Sequence, residues 1–405
     1  MRIILAHNHF TVQGGAEFFY LEVGRVLEER GHEVAYFSIA QEGQSTPWQE
    51  YFPKGNEFRG KNLVSGILTF PRMVYSFDAK RSMERLIADF KPDLIHVFAI
   101  YLHLTPSILD AASKAKIPIL MSCNDYKHIC PNYKLFHHGK VCEECKGGKY
   151  IRAAINKCAH DSRMISVASS LEAYVHEFLN IYRKNVNMYL FASEFMAKKT
   201  EEFWGRDSFT WRKLRNPFNP FECTPNYEPG EYVLYFGRII DEKGVDVLVE
   251  AATMTPKIPV VIVGDGPDLH QLEVAVRESG ATNIQFLGAQ WGEDLNEIVR
   301  QCRFVVVPSL WHENFPYVIL QSFAHAKPVI GTKRGGIPEL VEHGSRGLTY
   351  EASSSQELAE QIDRLFSNVE LVIEMGRNCR SYVEAEFNDD KFYGSLIEIY
   401  EEAVG

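Results

Sequence analysis

Short runs of apolar, mostly β-branched residues alternate along this chain with longer stretches in which apolar positions recur every three or four residues. The first pattern predicts strands buried on both faces, the second amphipathic helices packed against them. Residues 2–7 read as a first strand, HNHFTVQGGAE as a glycine-rich loop, 16–30 as a helix closed by Gly31, and 34–39 as a second strand. Residues 40–75 have no clear period and read as irregular. A helix ending near Phe90, the strand KPDLIHVF, a helix after Pro106, the strand PILMS, a helix over about 160–182, the strand NMYLFAS and a helix to Trp204 follow. This alternation predicts five or six parallel strands with helical crossovers, one complete α/β domain.

The proline-dense stretch 215–232 reads as a hinge, after which the alternation restarts with EYVLYFGRI, a helix over 244–254, PVVIVGDGP and NIQFLG. Two successive Rossmann-like, doubly wound halves are therefore expected, ending in an amphipathic helix over Asp389–Val404. The most informative segment is 304–340. Phe304–Val307 is a buried strand, Pro308–Asn314 a polar elbow, and Phe315-Pro316 open a helix to about Ala326 with Val318, Ile319, Ser322 and Phe323 facing the core. Pro328–Thr332 is the next strand, followed by a Gly-Gly-Ile-Pro elbow. Loops after such strands line the ligand crevice of a doubly wound sheet. That places Glu313 at the crevice lip beside free helix N–H groups, with Gln321 about two turns further on. Taken alone, Glu313 would be read as a loop carboxylate facing water.

Other groups fall at the same kind of position. Arg238 follows a strand and Lys243 stands five residues later at a helix entrance, where a planar fork and a point charge can straddle a pyrophosphate. Without context, two solvated surface cations would be the simpler reading. Gly264, Gly266 and Leu287 end consecutive strands of the second half. In the first half, Gly14-Gly15 can let backbone N–H groups approach a phosphate, and Asn124 follows the strand Pro118–Ser122. The spaced glycine fingerprint of dinucleotide binders, the GK[ST] of a P-loop and an Asp-x-Asp metal motif are all missing from the sequence.

Length changes the picture little: 405 residues suit two domains. Apolar and charged contents of 45% and 24% are those of a soluble globular chain. A net charge of −10 argues against nucleic acid and gives no general basic surface for anionic lipid, while local basic patches leave a weak peripheral membrane contact open. No stretch approaches the ~18 apolar residues of a membrane span, and Met1-Arg2 leads straight into the first strand, so a cytoplasmic protein is expected. Cys130, Cys142, Cys145 and Cys158 form C-x11-C-x2-C-x12-C in a polar insert over 123–160. That spacing suits a closed, structural zinc site; an iron–sulfur site or reduced buried cysteines are the alternatives.

The sequence PS-x-x-x-E-x-F-P with a further position eight residues after Glu313 resembles the Glu-x7-Glu signature of the family 4 retaining glycosyltransferases, with Gln321 in place of the second acid. The resemblance spans nearly the whole chain and implies the GT-B architecture, two Rossmann-like domains facing a central cleft. It implies an acceptor-side domain over 1–215 with the C-terminal helix 387–405 packing back onto it, and a donor domain over 216–386. By the same resemblance Arg238 and Lys243 bind the donor's diphosphate, Glu313 and the backbone at Asn314, Phe315, Pro316 and Tyr317 hold its sugar, and Gln321 its ribose. Gly264, Gly266 and Leu287 would cradle the base, while Gly14, Gly15 and Asn124 would shape the reacting face, Asn124 standing where the family often has His. The expectation is thus a retaining, metal-independent glycosyltransferase that uses a nucleotide-diphosphate sugar and no catalytic cofactor, with a polysaccharide, glycolipid or small alcohol as acceptor, working in the cytoplasm or at the inner face of the membrane. A non-catalytic nucleotide-sugar or glycan-binding protein on the same scaffold is the alternative, motivated by Gln321 and Asn124.

Overall fold

The computed structural model describes residues 1–12, 14–41, 45–56 and 70–405. Gln13 of the glycine-rich loop and 42–44 and 57–69 of the stretch expected to be irregular lie outside the described residues. Contacts divide the chain into two compact units, Met1–Leu135 with Glu143–Pro217 and Phe392–Gly405, and Phe136–Cys142 with Phe218–Lys391. The contact boundary thus falls at Pro217, beside the sequence break after residue 215, and the hairpin within the cysteine-rich insert groups with the second unit.

The first unit is built on β1 (Arg2–Ala6), β2 (Glu33–Phe37), β3 (Leu94–Val97) and β4 (Ile119–Cys123). After the two-residue strands β5 (Phe136–His137) and β6 (Lys140–Val141) of the hairpin, β7 (Met188–Phe191) and β8 (Trp211–Lys213) complete its sheet. The order is β2-β1-β3-β4-β7-β8, all parallel. Period-2 alternation with both faces covered explains why Ile3–Ala6 of β1 are all apolar: Ile4 and Ala6 enter one core and Ile3 and Leu5 the other, one on each face of the sheet. Helices α1 (Gly15–Glu29), α2 (Phe77–Phe90) and α3 (Ser107–Lys114) cover it, with Ser76 capping α2 by accepting from the Ala79 N–H.

The helix expected over 160–182 is instead broken. Between α4 (Ile151–Ile155) and α7 (Glu194–Trp204), α5 covers Arg163–Phe178 and α6 Ile181–Asn185, because Asn180 takes a left-handed backbone with φ 48°.

The second unit repeats the plan with β9 (Val233–Phe236), β10 (Val260–Val263), β11 (Ile284–Gly288), β12 (Phe304–Val307), β13 (Val329–Thr332) and β14 (Gly347–Tyr350). Their order, β11-β10-β9-β12-β13-β14, reverses direction between β9 and β12, the topological switch at which such sheets open a crevice. Helices α8 (Val245–Met254), α9 (Leu269–Ser279), α10 (Gly292–Gln301), α11 (Tyr317–Ala324), α12 (Ile337–Leu340), α13 (Ser355–Phe366) and α14 (Val369–Glu386) surround it. On α11 the buried set is Ile319, Leu320, Ser322, Phe323 and Ala324, while Val318 is only half-buried. The helix starts at Tyr317 rather than Phe315, and Leu320 and Ala324 join the buried face in place of Val318.

Helix α15 (Asp389–Val404) delivers Phe392, Leu396, Ile399 and Tyr400 to the first unit's core beside Ile3, Leu5 and Leu94. No helix among the described residues is long and apolar enough to cross a membrane.

Candidate active site

At the carboxyl edge of the second sheet three loops are locked together by close backbone approach. The loop after β9 lies against the turn after β10: Ile239 N–H donates to Asp265 O at 2.8 Å, and a Cβ on Gly266 would collide with the Ile239 carbonyl. That contact, rather than φ alone, is why the turn needs its second glycine. Gly264 N–H donates to Gly288 O at 2.8 Å, which brings Leu287 alongside the same turn. Further on, Leu310 N–H donates to Glu242 O at 2.9 Å, and Gly244, at φ 64°, passes the Pro308 carbonyl.

This lock brings Lys243 to Glu313. The Lys243 ammonium donates to Glu313 Oε1 at 2.6 Å, and Ser309 Oγ donates to the same oxygen at 2.7 Å. Glu313 is buried with only 5% of its surface exposed, so it is no loop carboxylate in water. Burial pushes its carboxyl pKa up, but the charge and hydrogen bond of Lys243, together with the other side-chain hydrogen bonds to the carboxylate, outweigh that and hold it below the ordinary value. The elbow carrying Glu313 is pinned from behind: Gly336 N–H donates to Glu313 O at 2.7 Å, and Gly335, at φ 58°, runs against the Glu313 backbone.

Asn314, Phe315 and Pro316 are buried beside this carboxylate and Tyr317 opens α11. Pro316 has no N–H, so only Asn314, Phe315 and Tyr317 can donate backbone hydrogen bonds there. Gln321 is half-buried on the second turn of α11. Arg238 is exposed on the loop after β9, where its carbonyl accepts from Tyr235 Oη at 2.7 Å. The edge thus presents an exposed guanidinium, a clamped Lys–Glu pair and the start of a helix. Such a set can bind an anion and orient hydroxyl groups next to it.

In the first unit, the corresponding edge carries His7 after β1, Asn124 after β4, and Gly14 and Gly15 at the start of α1. Gly14 is extended at φ −171°, so the pair is not required by backbone strain. The Nδ2 of Asn124 is buried without a hydrogen-bond partner among the described residues. His7 is buried, hydrogen-bonded to the His9 backbone, and 3.9 Å from Glu17; burial lowers its pKa to about 4, so it is neutral at pH 7.

Ser309 and Gly335 belong to this site yet were not singled out in the sequence. The signals were there: Ser309 is the Ser of the PS-x-x-x-E pattern, in the elbow before Glu313, and Gly335 is in the Gly-Gly elbow. His103, whose ring lies 5.6 Å from that of His9, had no motif to mark it.

Cys130, Cys145 and Cys158 fall in the first unit, and Cys142 in the hairpin grouped with the second. Cys130 Sγ donates to Asn132 Oδ1 at 3.2 Å, and Asn132 Nδ2 donates to Cys158 O at 3.1 Å, while Cys145 and Cys158 share one small apolar cluster. Thiols suit zinc by type. Among the described residues, however, these three sulfurs do not form a set mutually within 4.8 Å.

A two-unit, parallel-sheet α/β protein whose second sheet carries a clamped Lys–Glu pair and an exposed guanidinium at its carboxyl edge is the class defined so far. The family model for glycosyl transferases group 1 matches residues 221–382, and that for glycosyltransferase family 4 matches 13–208. An N-acetyl-alpha-D-glucosaminyl L-malate synthase of Bacillus anthracis is 30% identical over 99% of this chain and 97% of its own. An uncharacterized glycosyltransferase of Methanocaldococcus jannaschii, MJ1178, is 32% identical over 44% of this chain and half (50%) of its own length. Among solved structures, a sucrose-phosphate synthase from Thermosynechococcus elongatus superposes with a TM-score of 0.70 at 18% identity, covering 99% of this chain and 98% of that one. HepE of Anabaena, in complex with UDP and glucose, does so with 0.68 at 17% identity, covering 99% and 100%. The chain belongs to the family 4 glycosyltransferases and has their GT-B fold, and glycosyl transfer is the class of reaction that membership gives it.

Proposed function

We propose that the chain transfers a sugar from a nucleotide-diphosphate donor to a hydroxyl acceptor with retention of anomeric configuration. The observation that carries this is the buried Lys243–Glu313 pair at the switch point of the second sheet, next to the exposed Arg238 and the start of α11. Arg238 and Lys243 stabilise the diphosphate, which gains negative charge as its bond to the anomeric carbon breaks. Glu313 and the N–H groups of Asn314, Phe315 and Tyr317 hold sugar hydroxyls. Gln321 meets the ribose with a neutral amide, a contact weaker than a carboxylate's by roughly 1 kcal/mol. Gly264, Gly266 and Leu287 form the backbone cradle of the base.

The acceptor oxygen bonds to the anomeric carbon on the face the diphosphate leaves, and its proton passes to the departing phosphate oxygen. Neither a metal nor a protonated histidine enters that step. Asn124, with its unpartnered amide nitrogen, and Gly14-Gly15 are the first unit's contribution, on the acceptor side. HepE, solved with UDP-glucose, and TarM, solved with UDP and alpha-GlcNAc-glycerol, support a nucleotide sugar as donor and a glycan, glycolipid or small alcohol as acceptor. Structural zinc on the four cysteines remains a proposal from their spacing, and metal analysis of the purified protein decides it.

The test is a thermal-shift titration with UDP-, GDP- and ADP-sugars on the native chain and on Glu313→Ala, followed by an assay for nucleoside-diphosphate release. A ligand at 100 times its Kd adds about 2.7 kcal/mol of apparent stability. One base series should stabilise the native chain and act far less on the variant. If none does, the donor reading fails. Binding without release on any acceptor leaves the non-catalytic reading in its place.

A further inference from the structure

Helix α5 carries its polarity inside out. Its buried positions are Ser166, Ser170, Glu172 and His176. Each is held by polar contacts: Ser166 Oγ accepts from Ala159 N–H at 2.9 Å, Ser170 Oγ donates to Tyr150 O at 2.8 Å, Glu172 accepts from Lys127 Nζ at 2.7 Å, and His176 Nε2 lies 2.8 Å from Val74 O. The outward side carries Met164, Val167, Leu171, Tyr174, Val175 and Phe178, with Phe178 89% exposed. Positions 164, 171 and 178 repeat at one heptad and 167 and 174 fall between them, so the apolar stripe runs the length of the helix. Helix α4 packs alongside and adds exposed Ile151 and Ile155. Isolated exposed apolar side chains need no explanation, but a continuous stripe on a helix whose inner face is polar does.

The surrounding charge says what covers it. Residues 146–184 hold seven Lys and Arg against three Asp and Glu, a net +4 in a chain of −10. One of the three acids, Glu172, is buried in its pair with Lys127. Lys149, Arg152, Lys157 and Arg163 are exposed and have no carboxylate partner among the described residues. Two copies meeting through this face would bring basic rims together, a like-charge contact that disfavours self-association. An anionic bilayer offers the opposite: acyl chains for the stripe and phosphate headgroups for the rim. At 16 residues, or about 24 Å, α5 is too short to span and suits lying in the interface.

We propose that α4 and α5 dock the first unit onto an anionic lipid surface, with the α5 stripe among the acyl chains. This docking does not rest on the donor reading, and its test contains no nucleotide, so either can fail without the other.

The experiment is co-sedimentation of the full chain with vesicles of phosphatidylcholine alone and of phosphatidylcholine with one third phosphatidylglycerol, at low and high salt. Leu171→Asp/Phe178→Asp removes the stripe and Arg152→Glu/Arg163→Glu reverses the rim; both alter solvent-facing side chains, and thermal melts check that the fold is intact. The native chain should bind the anionic vesicles about tenfold more tightly than the neutral ones and lose binding with salt, and each double variant should weaken binding by about tenfold or more. No binding to anionic vesicles overturns the proposal, as does binding that neither double variant changes. A concentration-dependent dimer in ultracentrifugation that Leu171→Asp/Phe178→Asp abolishes, without vesicle binding, assigns the face to a second copy of the chain instead.

Discussion

Lys243 and Glu313 are 70 residues apart in sequence and 2.6 Å apart in the fold, and the carboxylate is the more deeply buried partner. Their substitution effects should therefore be unequal. Lys243→Ala leaves the buried carboxylate without its cation and should cost the second unit about 1–3 kcal/mol in urea denaturation. Glu313→Gln removes the buried charge, keeps the volume, and leaves Lys243 able to reach water, so it should cost less. A larger loss for Glu313→Gln would mean the pair is not held as described. The pH dependence has a definite sign. Since the folded pKa of Glu313 is depressed, its contribution is complete above the unfolded value of about 4.3 and disappears as pH falls through the folded value, so native and Lys243→Ala stabilities should converge in acid. Behind the same elbow, Gly335→Ala adds a Cβ at a left-handed φ against the Glu313 backbone; we expect a loss of about 1–3 kcal/mol and weakened donor binding, read in the same denaturation and thermal-shift assays. The individual residues Glu313 and Lys243 could be read from motifs. Their pairing could not, because it depends on β9 and β12 being neighbours in the sheet, and no local pattern encodes that.

At the level of elements, legibility followed length. Strands such as Phe304–Val307 and Ile119–Cys123 are wholly buried apolar runs between turn signals, and α15 was readable to the residue from its amphipathic period. The two-residue strands β5 and β6 and the three-residue edge strand β8 offer too few positions for any period to show. The break at Asn180 went unseen because asparagine tolerates both a helix and a left-handed turn. The apolar period of α5 is plain in the sequence, but which side faces the core is settled only by the hydrogen bonds beneath it. The C-terminal helix α15 is bound to its sheet by Leu396 and Ile399 and by Tyr400 Oη, 2.7 Å from His96 Nδ1. Leu396 is fully buried, so Leu396→Ala should cost the first unit about 2–5 kcal/mol in urea denaturation. A change below about 0.5 kcal/mol, the size of a surface substitution, would mean α15 is not part of that core.

For the molecule as a whole, the two units have separate sheets and separate cores but different acid chemistry. The first unit encloses four histidines whose pKa burial lowers: His7, to about 4, His96 and His128, each to about 3, and His176. In the unfolded chain each would titrate near 6.5. Between those values the unfolded state binds more protons at these histidines than the folded one, so their contribution falls as pH drops below about 6.5, by roughly 1 kcal/mol per histidine per pH unit. Asp125, raised to about 6 by burial, works in the opposite direction below that value. The second unit has a smaller stake: burial lowers the pKa of one histidine there, His325, and its depressed Glu313 begins to matter only near pH 4. Calorimetry at about pH 7.5 and again near pH 5.5 should therefore show one transition moving down by several degrees and the other moving less. Addition of the nucleotide sugar identified by thermal shift should raise only the acid-resistant transition, because the donor residues proposed for direct contact are concentrated in the second unit. If the ligand instead raises the acid-labile transition alone, the donor site has been placed in the wrong unit. If both transitions fall equally with pH, the buried histidines of the first unit are not the groups that set acid stability.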